Sequence, residues 1–141
     1  MKRKASAVWK GGILDGYGSL STESGVLSDT QYSFSSRFEN GVGTNPEELI
    51  AAAHAGCFSM AFSGQLGAAK LTPESINTTA TVTIEKQGEE FTITAVHLDV
   101  KAKISGASVE AFNTAVQKAK EGCPVSKVLK ANITMDAKLE S

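Results

Sequence analysis

Two cysteines and an arginine are the side chains of this sequence with the clearest chemical potential. Cys57 lies in HAGCFSM and Cys123 in GCPVSK, and the chain has 2 cysteines in all. So distant a pair is neither the disulfide framework of a small secreted domain nor a CxxC couple. In a reducing compartment it is inert core, a set of metal ligands or a redox couple. A thiol becomes a nucleophile when its thiolate is populated, which a helix N-terminus or a neighbouring cation achieves. Pro124 suits a first helical position and leaves Cys123 at the N-cap, with free amides pointing toward its sulfur. Cys57 lies in mid-helix and cannot borrow a dipole, so its activation must come from a cation such as Arg37. A carboxylate beside that thiol would raise its pKa unless it serves the arginine, holding the guanidinium by a fork-like pair.

The element that must carry Cys57 is Thr44 to Lys70, TNPEELIAAAHAGCFSMAFSGQLGAAK. Asn45 is a good N-cap and Pro46 a good first helical residue. Glu47 and Glu48 place carboxylates at the positive end of the dipole, Glu48 at the capping-box position. Beyond Glu48, apolar and small residues fall on every side, which predicts a buried helix sheathed all round by other structure. His54, Ser59, Ser63, Gln65 and three glycines make the run less apolar than a membrane span would be.

Lys4 to Lys10 and Asp15 to Ser21 read as a first hairpin, its second strand weakened by Gly16 and Gly18. Thr30 to Phe38 alternates Tyr32, Phe34 and Phe38 with Ser33, Ser35, Arg37 and Glu39, the period of a half-buried strand with Arg37 away from the two Phe rings. The loop ENGVGT reads as a hinge; it has neither GxGxxG nor a Walker lysine, which argues against a nucleotide cradle. After the central helix come two strands joined at Gln87-Gly88-Glu89. The second changes phase near Ala95, by a bulge or by burial of both faces. Ser108 caps a helix from Val109 to Glu121 with Phe112, Ala115, Val116 and Ala119 on one face. A short helix runs from Pro124 to Lys130, and a strand from Ile133 to Leu139 closes the chain. This order is α+β and mostly antiparallel, without the alternation of a Rossmann domain.

The 141 residues are read as one domain, large enough to bury roughly two-thirds of the unfolded surface. Net charge is −1, from 14 basic and 15 acidic residues, so neither nucleic acid nor an anionic membrane is expected as the main partner. Met1 to Gly12 has no long apolar segment of a secretory signal, and a cytoplasmic location is expected.

SRFENGVGTNPEELIAAAHAGCFSMA followed by GCPVSKVL resembles the family of osmotically inducible protein C and the organic hydroperoxide resistance proteins, nearer the former branch. The resemblance extends over nearly the whole chain. It implies antiparallel sheets wrapped around a long buried central helix in an intertwined homodimer. It further implies a thiol peroxidase that reduces organic hydroperoxides without a bound cofactor or metal, using an external thiol or dithiol as reductant. Carried over by motif, Cys57 would be the peroxidatic thiol and Cys123 the resolving one, with Arg37 in SRFEN and Glu47 in NPEEL attending the first. Glu48 is a rival to Glu47. The flanking Phe58, Met60 and Phe62 would favour an organic peroxide, since an apolar wall gains about 0.8 kcal/mol per buried methylene; they could equally be plain core.

A spacing argument stands beside the motif. Glu47 and Cys57 are ten positions apart, about 15 Å of rise and about 80° of rotation on one helix, so they cannot meet within it. The glutamate must act through a reaching arginine or come from a second copy. Two such helices crossing antiparallel on a two-fold axis near Ala52 would set each Glu47 level with the other chain's Cys57. Ala51, Ala52, Ala53, Ala55 and Gly56 are small enough for that approach. An obligate homodimer with two composite sites is the expectation.

Two other readings are weaker. A Cys/His hydrolase built on His54 and Cys57 lacks a third orienting group. Zinc at His54 and Cys57 with His97 and Cys123 lacks the paired ligand spacing of a structural site. The rival from a different class is a non-enzymatic dimer holding a hydrophobic ligand, its cysteines unreactive.

Overall fold

The computed structural model describes residues 1–140, an α+β chain with two three-stranded sheets and one long helix. Its internal contacts gather into two compact units, Met1–Leu49 and a second beginning at Ile50.

In the first unit, β1 (Ala5–Lys10) and β2 (Tyr17–Thr22) form the expected hairpin, and β3 (Thr30–Tyr32) pairs antiparallel with β2. Gly18 does more than weaken its strand. A Cβ there would strike both the Tyr32 and the Trp9 rings, so glycine lets those two rings pack, with centroids 5.4 Å apart. The strand expected over 30–38 stops at Tyr32, and α1 (Phe34–Phe38) replaces its second half. Ser33 and Ser36 form a reciprocal capping box that starts this turn, a local signal stronger than the alternation. Phe34 and Phe38 then meet at one-turn spacing, centroids 4.9 Å apart, and Arg37 lies over the Phe38 ring instead of opposite it.

The loop after α1 is pinned rather than hinge-like. Ser36 Oγ donates to Thr44 O at 2.8 Å, Asn45 Nδ2 donates to Ser36 O at 3.0 Å, and Thr44 N donates to Gln31 O at 2.9 Å. Gly43, at φ +115°, presses so closely on Gln31 that a Cβ would strike its carbonyl.

The long helix α2 (Pro46–Ala68) begins as the sequence dictates, with Glu48 N donating to Asn45 Oδ1 at 2.8 Å. The Glu48 carboxylate, expected back at the Asn45 amide, instead accepts from Thr44 Oγ1 at 2.7 Å. Within the chain α2 buries a single stripe rather than its whole circumference: His54, Phe58, Phe62 and Leu66 are fully buried, while Ala52, Ala53, Gly56, Met60, Ser63, Gly64 and Gly67 are exposed. By length and composition alone it is long and apolar enough to cross a membrane, as the core helices of soluble proteins also can be.

The second unit holds the apolar core. β4 (Pro73–Gln87) and β5 (Glu90–Ile104) form a long antiparallel hairpin turning at Gly88-Glu89, and the register slips between Thr83 and Ile84, opposite Thr94. That bulge is the phase change expected near Ala95, and it lets Val96, Leu98, Val100, Ala102 and Ile104 all point inward. α3 (Val109–Gly122), capped by Ser108, presents Phe112, Ala115, Val116 and Ala119 to the same core. The helix α4 (Pro124–Val128) is one turn long, shorter than expected. β6 (Asn132–Glu140) then pairs with β5 in parallel, an exception to the expected antiparallel sheets. The two helices between β5 and β6 make the crossover that a parallel neighbour requires.

Candidate active site

Each half of the candidate chemistry is built inside one unit. In the first, Arg37 at the end of α1 meets Glu47 in the opening turn of α2. Arg37 Nε donates to both carboxylate oxygens, at 2.9 and 3.2 Å, and Nη2 donates to Oε1 at 2.7 Å. Such a forked, charge-assisted pair fixes the guanidinium in plane and leaves its outer edge free. The Glu47 side chain is 9% exposed and that of Arg37 38%, so the carboxylate is the buried anchor and the cation the accessible end. The capping box of α1 and the asparagine cap of α2 set the two backbones that meet here. Glu48, the rival, is occupied with the Thr44 hydroxyl. An apolar cleft of about 260 Å³ adjoins Arg37, lined by Trp9, Ile13, Tyr32, Phe34 and Phe38. Sequence reading missed it because its lining comes from two strands and a helix whose helical nature was unrecognised.

In the second unit, Cys57 and Cys123 lie 66 positions apart in sequence and 2.8 Å apart at their sulfurs. Both thiols are free; Cys57 is half-buried and Cys123 fully buried. Cys57 comes from the middle of α2, while Cys123 is shared by the end of α3 and the start of α4, its amide donating to Ala119 O at 3.0 Å. Burial pushes the Cys57 thiol up, and its contact with Cys123 adds to that, against a smaller opposing effect of the Val125 amide. Burial acts on Cys123 in the same direction. There the Cys57 thiol, the Ser126 amide and hydroxyl and the Val125 amide outweigh it and bring the Cys123 pKa below its ordinary value.

Of the three residues expected to form an apolar wall, Phe58 and Phe62 are spent on the core. Both are 0% exposed, and Phe62 stacks edge-on against Phe112 with centroids 5.7 Å apart. Met60, 79% exposed, remains accessible. His54 is fully buried one turn before Cys57, with Nε2 2.8 Å from Ser126 Oγ and no partner at Nδ1. Burial holds its pKa below the usual histidine value. His97 gathers with Asp99 and Asp136 on the outer face of the β5–β6 pair, remote in kind from either thiol. Its Nδ1 is 2.6 Å from Thr134 Oγ1 and its Nε2 3.1 Å from Asp136 Oδ2. These three side chains are the set among the described residues with donor atoms close enough to hold a metal ion.

Residues 38–138 match the family model described as OsmC-like protein. The chain is 52% identical over 139 residues to peroxiredoxin OsmC of Escherichia coli, covering 99% of this chain and 97% of that one. It is 39% identical over 95 residues to organic hydroperoxide resistance protein-like 1 of Staphylococcus saprophyticus, covering 67% of each. Among solved structures, the organic hydroperoxide resistance protein OhrB of Bacillus subtilis superposes with a TM-score of 0.70 at 26% identity, over 97% of this chain and 98% of that one. With a helix-borne thiol facing a second at a helix start, and a family match over most of its length, the chain belongs to the OsmC-like family of proteins.

Proposed function

We propose that this protein is a thiol peroxidase that reduces organic hydroperoxides through Cys57 and Cys123. The observation that carries the reading is the 2.8 Å approach of two sulfurs that the sequence holds 66 positions apart. The names of the relatives, peroxiredoxin and organic hydroperoxide resistance protein, support it. In the first step the Cys57 thiolate attacks the distal oxygen of ROOH. A sulfur–oxygen bond forms, the oxygen–oxygen bond breaks, and the alkoxide leaves and takes a proton as ROH, giving Cys57 sulfenic acid. Cys123 then attacks the Cys57 sulfur, a disulfide forms and water leaves. An external thiol or dithiol restores both thiols, and no bound cofactor takes part.

Since burial raises the Cys57 thiol, this cycle requires a cation at the peroxidatic sulfur. Arg37, aligned by Glu47, is the group suited to stabilise both the thiolate and the charge developing on the peroxide oxygen. The exposed small residues Ala52, Ala53 and Gly56 support the reading of a homodimer in which Arg37 and Glu47 of one copy serve Cys57 of the other. The aromatic cleft beside Arg37 supplies apolar surface for the alkyl group, in place of Phe58 and Phe62.

Adding one equivalent of an alkyl hydroperoxide and counting thiols by mass spectrometry tests the chemistry. Loss of two thiols as a Cys57–Cys123 disulfide is expected, and retention of both would leave only a hydrophobic-ligand binder. Mixed dimers of Cys57→Ser with Glu47→Ala test the composite site. One intact site should restore activity above both parents, and activity no higher than either would reject it.

A further inference from the structure

Two contacts join the middle of α2 to the turn that begins α4, and the proposed cycle uses one of them. The sulfurs of Cys57 and Cys123 lie 2.8 Å apart, and His54 Nε2 lies 2.8 Å from Ser126 Oγ. His54 and Cys57 are three positions apart on α2 and share one face of that helix. Ser126 is likewise three positions beyond Cys123, in a turn closed by the Lys127 amide donating to Cys123 O at 3.1 Å. The two contacts therefore run side by side, one helical turn apart, between chain segments that pass in opposite directions.

His54 is fully buried and Ser126 nearly so. Where no water can replace a lost partner, a hydrogen bond costs more to break than one on the surface. His54 Nδ1 has no partner. A buried N–H without an acceptor is costlier than a lone pair without a donor, so the ring proton sits on Nε2 and is donated to Ser126 Oγ. The short helix needs such a tie. Its five residues make a single turn, too short to be stable by its own backbone hydrogen bonds. Val125 and Leu129 rest against the core, but apolar contact is non-directional and fixes neither register nor rotation.

We propose that the His54–Ser126 hydrogen bond is a latch that fixes the register of α4 on α2 and so keeps the Cys123 sulfur against Cys57. Both are positioning residues. Neither touches the peroxide, and the latch acts on each cysteine through the backbone of one helical turn. The inference rests on the peroxidase reading for its purpose but not for its geometry. Its effect falls on the resolving step. There Cys123, as thiolate, attacks the sulfur of Cys57 sulfenic acid; the sulfur–sulfur bond forms, the sulfur–oxygen bond breaks, and hydroxide leaves and takes up the proton that Cys123 released, as water. The step is intramolecular, so its speed depends on the effective concentration of one thiol at the other. The latch raises that concentration without contact to either sulfur.

The latch is tested first without peroxide, from the Cys57–Cys123 disulfide at equilibrium with mixtures of oxidised and reduced glutathione. One oxidised glutathione takes up the two electrons of the dithiol and yields two reduced glutathiones, so the equilibrium constant measures the effective concentration of the pair. Ser126→Ala should lower this constant about tenfold, the scale of one buried hydrogen bond. His54→Phe should lower it similarly, and the double variant no further than either alone. Ser126→Thr keeps the hydroxyl and His54→Gln keeps a side-chain N–H of similar reach, so each should restore most of the wild-type value. His54→Leu takes the place of His54→Phe if the latter does not fold. In a single turnover with one equivalent of alkyl hydroperoxide, Ser126→Ala should slow disulfide closure about tenfold and slow loss of the Cys57 thiol less. An unchanged constant in either single variant, losses that multiply in the double variant, or equal slowing of both steps overturns the latch. If the constant moves as described while hydroperoxide leaves both wild-type thiols free, the peroxidase reading has failed instead, and the latch stands as a determinant of disulfide closure alone.

Discussion

The two units of this chain are stabilised by opposite means. All of the fully buried apolar side chains among the described residues, from Phe58 to Cys123, belong to the second unit. The buried side chains of the first unit are Ser36, Thr44 and Glu47, each polar and each hydrogen-bonded. A unit without an apolar core has little to offset the entropy of ordering its chain, since hydrogen bonds contribute only about 1 kcal/mol each net. The thiol centre therefore sits in the unit that holds the apolar core. The arginine that the proposed chemistry needs sits on the half that depends most on hydrogen bonds and on what else covers it.

Substitutions in the two units should behave accordingly. The largest effect is expected at Arg37. Arg37→Met should lower kcat/KM for an alkyl hydroperoxide by about 10²- to 10³-fold, the cost of losing a preorganised donor to developing negative charge. Its urea midpoint should move little, because the Arg37 side chain is 38% exposed. A large loss of stability would instead make Arg37 a structural cation and weaken the contrast between the units. Phe62→Ala should cost about 3–5 kcal/mol, read as a lower denaturation midpoint at unchanged slope, because it empties a site enclosed by Phe58 and Phe112. The smallest effect is expected for Ser36→Ala, which leaves the Ser33 amide and the Thr44 carbonyl without their partner. About 1–3 kcal/mol should be lost there. Hydrogen exchange should report that loss only for α1 and the loop to Thr44, with the β4–β5 hairpin unaffected. Equal acceleration in both units would merge them into one cooperative body.

The same contrast explains which parts of the molecule could be read in advance. α3 was legible residue by residue, because Ser108 caps it and its four inward positions follow the helical period. β5 was legible too, down to the phase change that became the bulge opposite Thr94. Phe34 to Phe38 was not, since Phe, Ser and Arg at these positions satisfy both a strand's period of two and a helix's turn of four. The Ser33–Ser36 capping box decided between them. What covers α2 was only partly legible for a related reason. Small and apolar residues on every side say that a helix tolerates close neighbours, not that its own chain supplies them, and here only one stripe is covered.

By itself the sequence determined the caps, the strand periods, the two cysteine motifs and the resemblance they carry, because each depends on residues within a few positions of one another. It also named Arg37 and Glu47, although not the α1 turn that lets them meet. Tertiary structure alone decided that the two thiols lie in contact, that β6 returns parallel to β5, that Phe58 and Phe62 face the core, and that His54 reaches Ser126. Those outcomes depend on where whole elements pack, and packing is fixed by apolar surfaces meeting across long stretches of chain, where no local spacing rule applies.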